Sequence, residues 1–234
     1  HFSGQEVSER LAERFPVTLE LILISIIIAI LVGVTVGLIC AVKRNKPTDY
    51  VLSTISMVGV AMPAFWLGML LIMLVSVKWL PASGFVKFSV DPIENLKTMI
   101  LPSITLGLSL AAPIARQTRS AMLDALSQDY IITAYSKGLK NKLVFWKHAL
   151  RNALIPVVTS ITNQINGLIG GAFVVETVFL IPGMGKSMVD AINQRDNPVV
   201  MGLSMAVVIT VVIVNLVADI LNAYIDPRIT FSEK

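Results

Sequence analysis

Cysteine is nearly absent. Cys40 stands alone in 234 residues, so neither an intrachain disulfide nor a multi-cysteine metal site can form, and the residue reads as a small packing group. Histidine is almost as scarce: besides His1 there is only His148. No His-Glu-x-x-His run and no pair of carboxylates falls on an apolar stretch, which removes the ligands a membrane protease or metalloenzyme needs. Charge is thin as well, at 15% of residues against about 25% in an ordinary soluble domain. The basic residues behind the net charge of +4 flank apolar runs instead of forming one dense patch with aromatics, so nucleic acid is not an expected partner.

What is present is apolar bulk, 55% of the chain with a mean hydropathy of +0.76. Crossing a bilayer takes about 20 helical residues, and blocks of that size with almost no charge occur at 17–42, 51–77, 99–115, 153–175 and 199–225. The expected class is therefore all-α, a polytopic membrane protein with five transmembrane helices in one domain, surrounded by lipid. Residues 1–16 form an extracytoplasmic lead-in and 116–152 the longest polar stretch. Pro63, Pro102 and Pro113 lie inside blocks and can bend them where a backbone bond is lost. A start at His1, with no basic segment before the first block, reads as a fragment or processed product rather than a signal peptide.

Lys and Arg in short loops are retained in the cytoplasm, and alternate loops hold 12 and 7 of the 19. The richer side carries Lys43, Arg44, Lys46, the 116–152 stretch and the C-terminus; Glu6, Glu9, Glu13, Asp91, Glu94, Glu176, Asp190 and Asp196 fall on the other. The 116–152 stretch and the C-terminus are expected inside.

Within that stretch Tyr130, Thr133, Ala134 and Lys137 follow helical spacing, and Gly138 can supply a left-handed C-terminal cap. After the glycine break Leu143, Trp146, Leu150 and Leu154 make an apolar stripe beside Lys147 and Arg151. Two short amphipathic helices of this kind serve either as a rigid docking ridge for a cytoplasmic partner or as an interfacial element resting on lipid headgroups. Composition leaves both open.

The segment resembles the coupling loop of binding-protein-dependent ABC importer permeases, in which a pair of small residues is followed by a glycine and an apolar run closing on proline. Thr133, Ala134 and Gly138 stand at the small residues and the glycine. Ile132 replaces the leading Glu and the closing proline is delayed to Pro156, two departures that look like those of the dipeptide, oligopeptide and nickel permeases. Three further runs are similar to that subfamily: 13–20 (Glu-Arg-Phe-Pro-Val-Thr-Leu-Glu), 174–185 (Val-Val-Glu-Thr-Val-Phe-Leu-Ile-Pro-Gly-Met-Gly), and Asn215 to Asp219 continuing to Asp226, Pro227 and Arg228.

The resemblance implies the type I importer permease fold, with six spans in the family and the first missing here, in a bacterial inner membrane. It implies import of peptides or similar small polar solutes, nickel or metal chelates included. The partners would be a second permease subunit, two cytoplasmic ATPase subunits that bind ATP and magnesium, and an extracytoplasmic solute-binding protein. The chain would be no enzyme and carry no cofactor. The ATPase-coupling residues would be Asp129, Tyr130, Thr133, Ala134, Lys137, Gly138, His148, Arg151, Asn152 and Pro156.

Thr159, Asn163 and Asn166, with Asn215, are candidates to line the pathway, because polar groups within spans face protein or water. Small residues such as Gly33 and Gly37, or Gly167 and Gly171, can equally mark close helix packing. The Gly183-to-Ser187 run ends like a phosphate loop, but Leu180 stands where that loop needs glycine; a Pro-Gly turn before a short helix is the reading preferred. The competing class, an ion-coupled secondary transporter or channel, calls for an inverted repeat and a charge at the midplane, neither of which is found.

Overall fold

The computed structural model describes residues 7–76 and 80–225, apart from the side chains of Ser76, Asn166, Leu221, Tyr224 and Ile225. The expected motif residues Asp226 to Arg228, the C-terminal Lys234, Lys78, the end of the second block at 77 and the first six residues of the lead-in lie outside the described residues. Helices and their connections account for everything described, with no strand among those residues.

The helices are α1 (Val7–Val42), α2 (Pro47–Ala61), α3 (Ala64–Leu71, continuing as a π-wound turn, Ile72–Ser76), α4 (Pro92–Leu126), α5 (Asp129–Ser136), α6 (Asn141–Leu143, continuing as a π-wound turn, Val144–Ala149), α7 (Leu150–Phe179), α8 (Met184–Asn193) and α9 (Asn197–Ile225). Among the described residues three helices are long and apolar enough to cross a bilayer: α1, α4 and Asn197–Ile220 of α9. Two interrupted pairs, Pro47–Ala61 with Ala64–Val75 and Gly167–Phe179 with Met184–Asn193, raise the number to as many as five if each is one crossing. The first break falls at Met62 and Pro63, where Pro63 is extended at φ −61° and ψ 137°; proline offers no N–H and drives its predecessor out of the helical region.

The described chain divides into two units, one of residues 7–28, 62–109 and 165–215, the other of 29–61, 110–164 and 216–225. In the first, Val7 and Leu11 pack on a cluster of Met184, Ala191, Val199 and Leu203. That packing explains why α1 starts ten residues before the apolar block and runs through Pro16: burial outweighs the one backbone bond that proline removes.

In the second unit the core is Ala41, Met122, Ala125, Ile131, Ala134, Val144, Ala149, Ala153 and Val157, among others. Here α1 and α4 approach so closely that a Cβ added at Gly37 would lie 2.5 Å from the Ala115 carbonyl oxygen, and one at Gly33 would lie 2.7 Å from that of Ala111. Glycine at a four-residue spacing permits this contact. By contrast, Gly167, in the first unit, faces open space.

Candidate coupling and pathway sites

The 116–152 stretch is mostly helix. Helix α4 continues to Leu126, and a short turn leads into α5. Helix α5 presses Ile131 (2% exposed) and Ala134 (6%) into the core of its unit, while Asp129, Tyr130, Thr133 and Lys137 are exposed. Its end is a Schellman turn: Gly138 sits at φ +76°, its N–H donates to the Tyr135 carbonyl at 2.9 Å, and the Leu139 N–H donates to the Ala134 carbonyl at 3.3 Å. That conformation is cheap only for glycine.

Beyond the turn the chain does not form a separate second helix. Asn141–Leu143 and the π-wound turn lead straight into α7. The side chains turned inward are Val144, Ala149, Ala153 and Val157, spaced five, four and four. The five-residue step comes from the π winding, and it shifts the buried face away from the stripe that a regular helix would give. Leu143 (43% exposed) and Trp146 (52%) therefore stand outward, with the Trp146 ring edge-on to Phe145 at 5.5 Å. Arg151 and Asn152 are exposed and His148 half-buried; the Asn152 amide donates to the His148 carbonyl at 3.2 Å.

The polar face of α7 splits in two. Thr162 is buried, and its hydroxyl meets Asn222 Oδ1 on α9 at 3.1 Å. Pro156, Thr159, Ser160, Asn163 and Gln164 instead line an open cleft of about 600 Å³ that also includes Gln117. So Thr159 and Asn163 come together, while Asn215 is half-buried in the other unit and the Asn166 side chain lies outside the described residues.

With this geometry in place, the family model described as "binding-protein-dependent transport system inner membrane component" matches residues 33–231. The chain belongs to that family. It is thus a multi-pass permease of the inner membrane, and the ion-coupled carrier reading falls away.

The permease is 42% identical over 232 residues to the oligopeptide transport system permease protein AppB of Bacillus subtilis (strain 168), covering 97% of this chain and 73% of that one. It is equally similar, at 42%, to the di/tripeptide transport system permease protein DppB of Pseudomonas aeruginosa (strain UCBPP-PA14), over 92% and 70% of the two chains. The glutathione transport system permease protein GsiC of Escherichia coli (strain K12) is 42% identical over 98% and 73%. Among solved structures, an inward-facing form of the MetNI methionine ABC transporter matches with a TM-score of 0.76 at 19% identity, covering 93% of this chain and 96% of that one. The likeness supports the expected permease fold.

Two buried carboxylates of the permease were not visible as sites in the sequence. In the first unit Glu176, fully buried, accepts from the Thr18 hydroxyl at 2.6 Å and from the N–H groups of Gly185 at 2.8 Å and Lys186 at 3.2 Å. The Thr18 oxygen also accepts from the Met184 N–H at 2.9 Å. A carboxylate thus closes the N-terminus of α8, whose own N-cap, Gly183, makes no side-chain bond; a Cβ on Gly183 would land on that carboxylate. The donors of the phosphate-loop-like run are already taken, consistent with a turn and not a nucleotide site.

In the second unit Asp49, 1% exposed, is held two-pronged by Arg119, Nε to Oδ1 at 2.7 Å and Nη2 to Oδ2 at 2.7 Å. The Asn45 N–H adds a bond at 3.0 Å and the Ser53 hydroxyl one at 3.3 Å. The bond to Asn45, which sits at φ +61°, fixes the Lys43–Lys46 turn against α2. The available signal was an acid just after a basic turn and an arginine beyond the third apolar block.

Proposed function

We propose that the permease forms half of the route by which peptides or similarly small polar solutes enter the cell, driven by ATP hydrolysed in partner subunits. The peptide and glutathione names of the relatives support that solute class; none of those three names speaks for nickel. A pair of cytoplasmic ATPase subunits grips α5 and the Gly138 turn, a second permease subunit completes the route, and an extracytoplasmic solute-binding protein delivers the cargo. ATP and magnesium belong to the ATPase subunits, and this chain needs no cofactor of its own. The basic count places the C-terminus in the cytoplasm.

The observation that carries the coupling role is the build of α5. One face is locked into the core by Ile131 and Ala134, the other presents exposed Tyr130, Ile132 and Tyr135, and a glycine turn stiffens the end. A ridge that is rigid below and apolar above transmits a push as a rigid body, which is what a switch between inward- and outward-open states requires. Thr159 and Asn163 would offer hydrogen bonds to a passing solute along the α7 cleft.

The test is ATP hydrolysis by the reconstituted complex. Adding loaded solute-binding protein should raise it, and Gly138→Asp should abolish that rise. Unchanged transport in the variant, or uptake lost on collapsing the proton gradient at constant ATP, would overturn the reading.

A further inference from the structure

A second cavity, of about 280 Å³, lies wholly within the second unit beside the Asp49 and Arg119 pair. Arg119 is spent on Asp49 through both prongs of its guanidinium. Arg116, one turn earlier on α4, lines the cavity, and no carboxylate among the described residues is paired with it. Ser56 and Ser120 also line the cavity, the Ser56 hydroxyl donating to the Leu52 carbonyl at 2.8 Å, and Met57, Val60 and Ala112 give it an apolar wall.

We infer that this cavity is a binding site for the C-terminal residue of a peptide-like solute, with Arg116 taking the carboxylate. The inference rests on the solute class proposed above and adds the group that is recognised. A planar guanidinium with the Ser120 hydroxyl in the same lining matches an oxyanion. The apolar wall matches the side chain that a terminal residue carries next to it. Size selects the same group: small-molecule pockets run from about 300 to 1,000 Å³, so this one takes a single residue and not a whole peptide. The solute would therefore be held by one end and weakly, as transport requires.

The test uses the reconstituted complex with its solute-binding protein and ATP, and a tripeptide alongside its C-terminal amide. The readout is the ratio of their uptake rates. Because one solute-binding protein serves every variant, its own preference cancels between wild type and variant. Arg116→Gln should lower the free-acid to amide ratio about tenfold, the worth of one charge-assisted bond. Arg116→Lys, which keeps the charge and loses the fork, should fall between, and Ser120→Ala should lower the ratio about twofold to threefold.

An equal loss for both compounds would mean a structural role and overturn the inference, as would an unchanged ratio. So would an Arg116→Gln effect that appears only with anionic lipid present, which would assign the cavity to a phosphate headgroup. Wild-type complex that takes up neither compound would sink the solute class itself, a separate failure that carries this inference with it.

Discussion

Glu176 in the first unit and Asp49 in the second are both buried carboxylates, and they are neutralised differently. Glu176 is held by neutral donors, a hydroxyl and two N–H groups at a helix start, so its charge is met by partial charges. Asp49 meets a full guanidinium in a fork. The difference teaches how each unit fails. Removing one donor around Glu176 leaves others in place, whereas removing Arg119 leaves a buried charge with only weak companions.

The largest expected effect is therefore Arg119→Ala, which should destabilise by about 3–5 kcal/mol, the cost of orphaning a buried partner. Thermal unfolding in detergent measures it, and adding Asp49→Asn in the same chain should recover a good part. No recovery would mean that Arg119 matters through packing and not through Asp49.

Thr18→Val comes next. It strips a bond from Glu176 and leaves the Met184 N–H without its acceptor, for about 1–3 kcal/mol. A loss as large as that of Arg119→Ala would erase the contrast between the units. Glu176→Gln keeps the shape and an acceptor but removes the charge facing the α8 terminus, for about 1 kcal/mol.

Of similar size is Gly138→Ala, which meets open space but must hold φ +76°, a strain of about 1–2 kcal/mol. Thermal unfolding should show a loss of that size, and hydrolysis stimulated by the solute-binding protein should fall as well. Lys97→Ala, in an exposed pair with Glu94, should leave the unfolding temperature unchanged, because solvent screens such pairs.

Much of the fold was legible because its signals are local. Apolar blocks and the basic count are properties of contiguous residues, and they led to an all-helical membrane protein with a polar element between the third and fourth blocks. Gly138 was legible as a helix end for the same reason. The π winding at Val144–Ala149 was not legible, since the stripe of Leu143, Trp146, Leu150 and Leu154 follows a regular helical period and carries no sign of it. Runs 13–20 and 174–185 were noticed as similar to relatives without a reason; the structure supplies it, since Thr18 and Glu176 from those runs bond each other.

By itself, then, the chain's order of residues determined the class, the apolar blocks that become long helices and the glycine turn, each set by neighbours within a few turns of helix. Only the tertiary structure decided that Thr18 finds Glu176 across 158 positions, that Asp49 finds Arg119 across 70, and that Arg116 is left to face a cavity. Those pairings depend on which helices pack together, and a long-range bond leaves no periodic trace in the sequence.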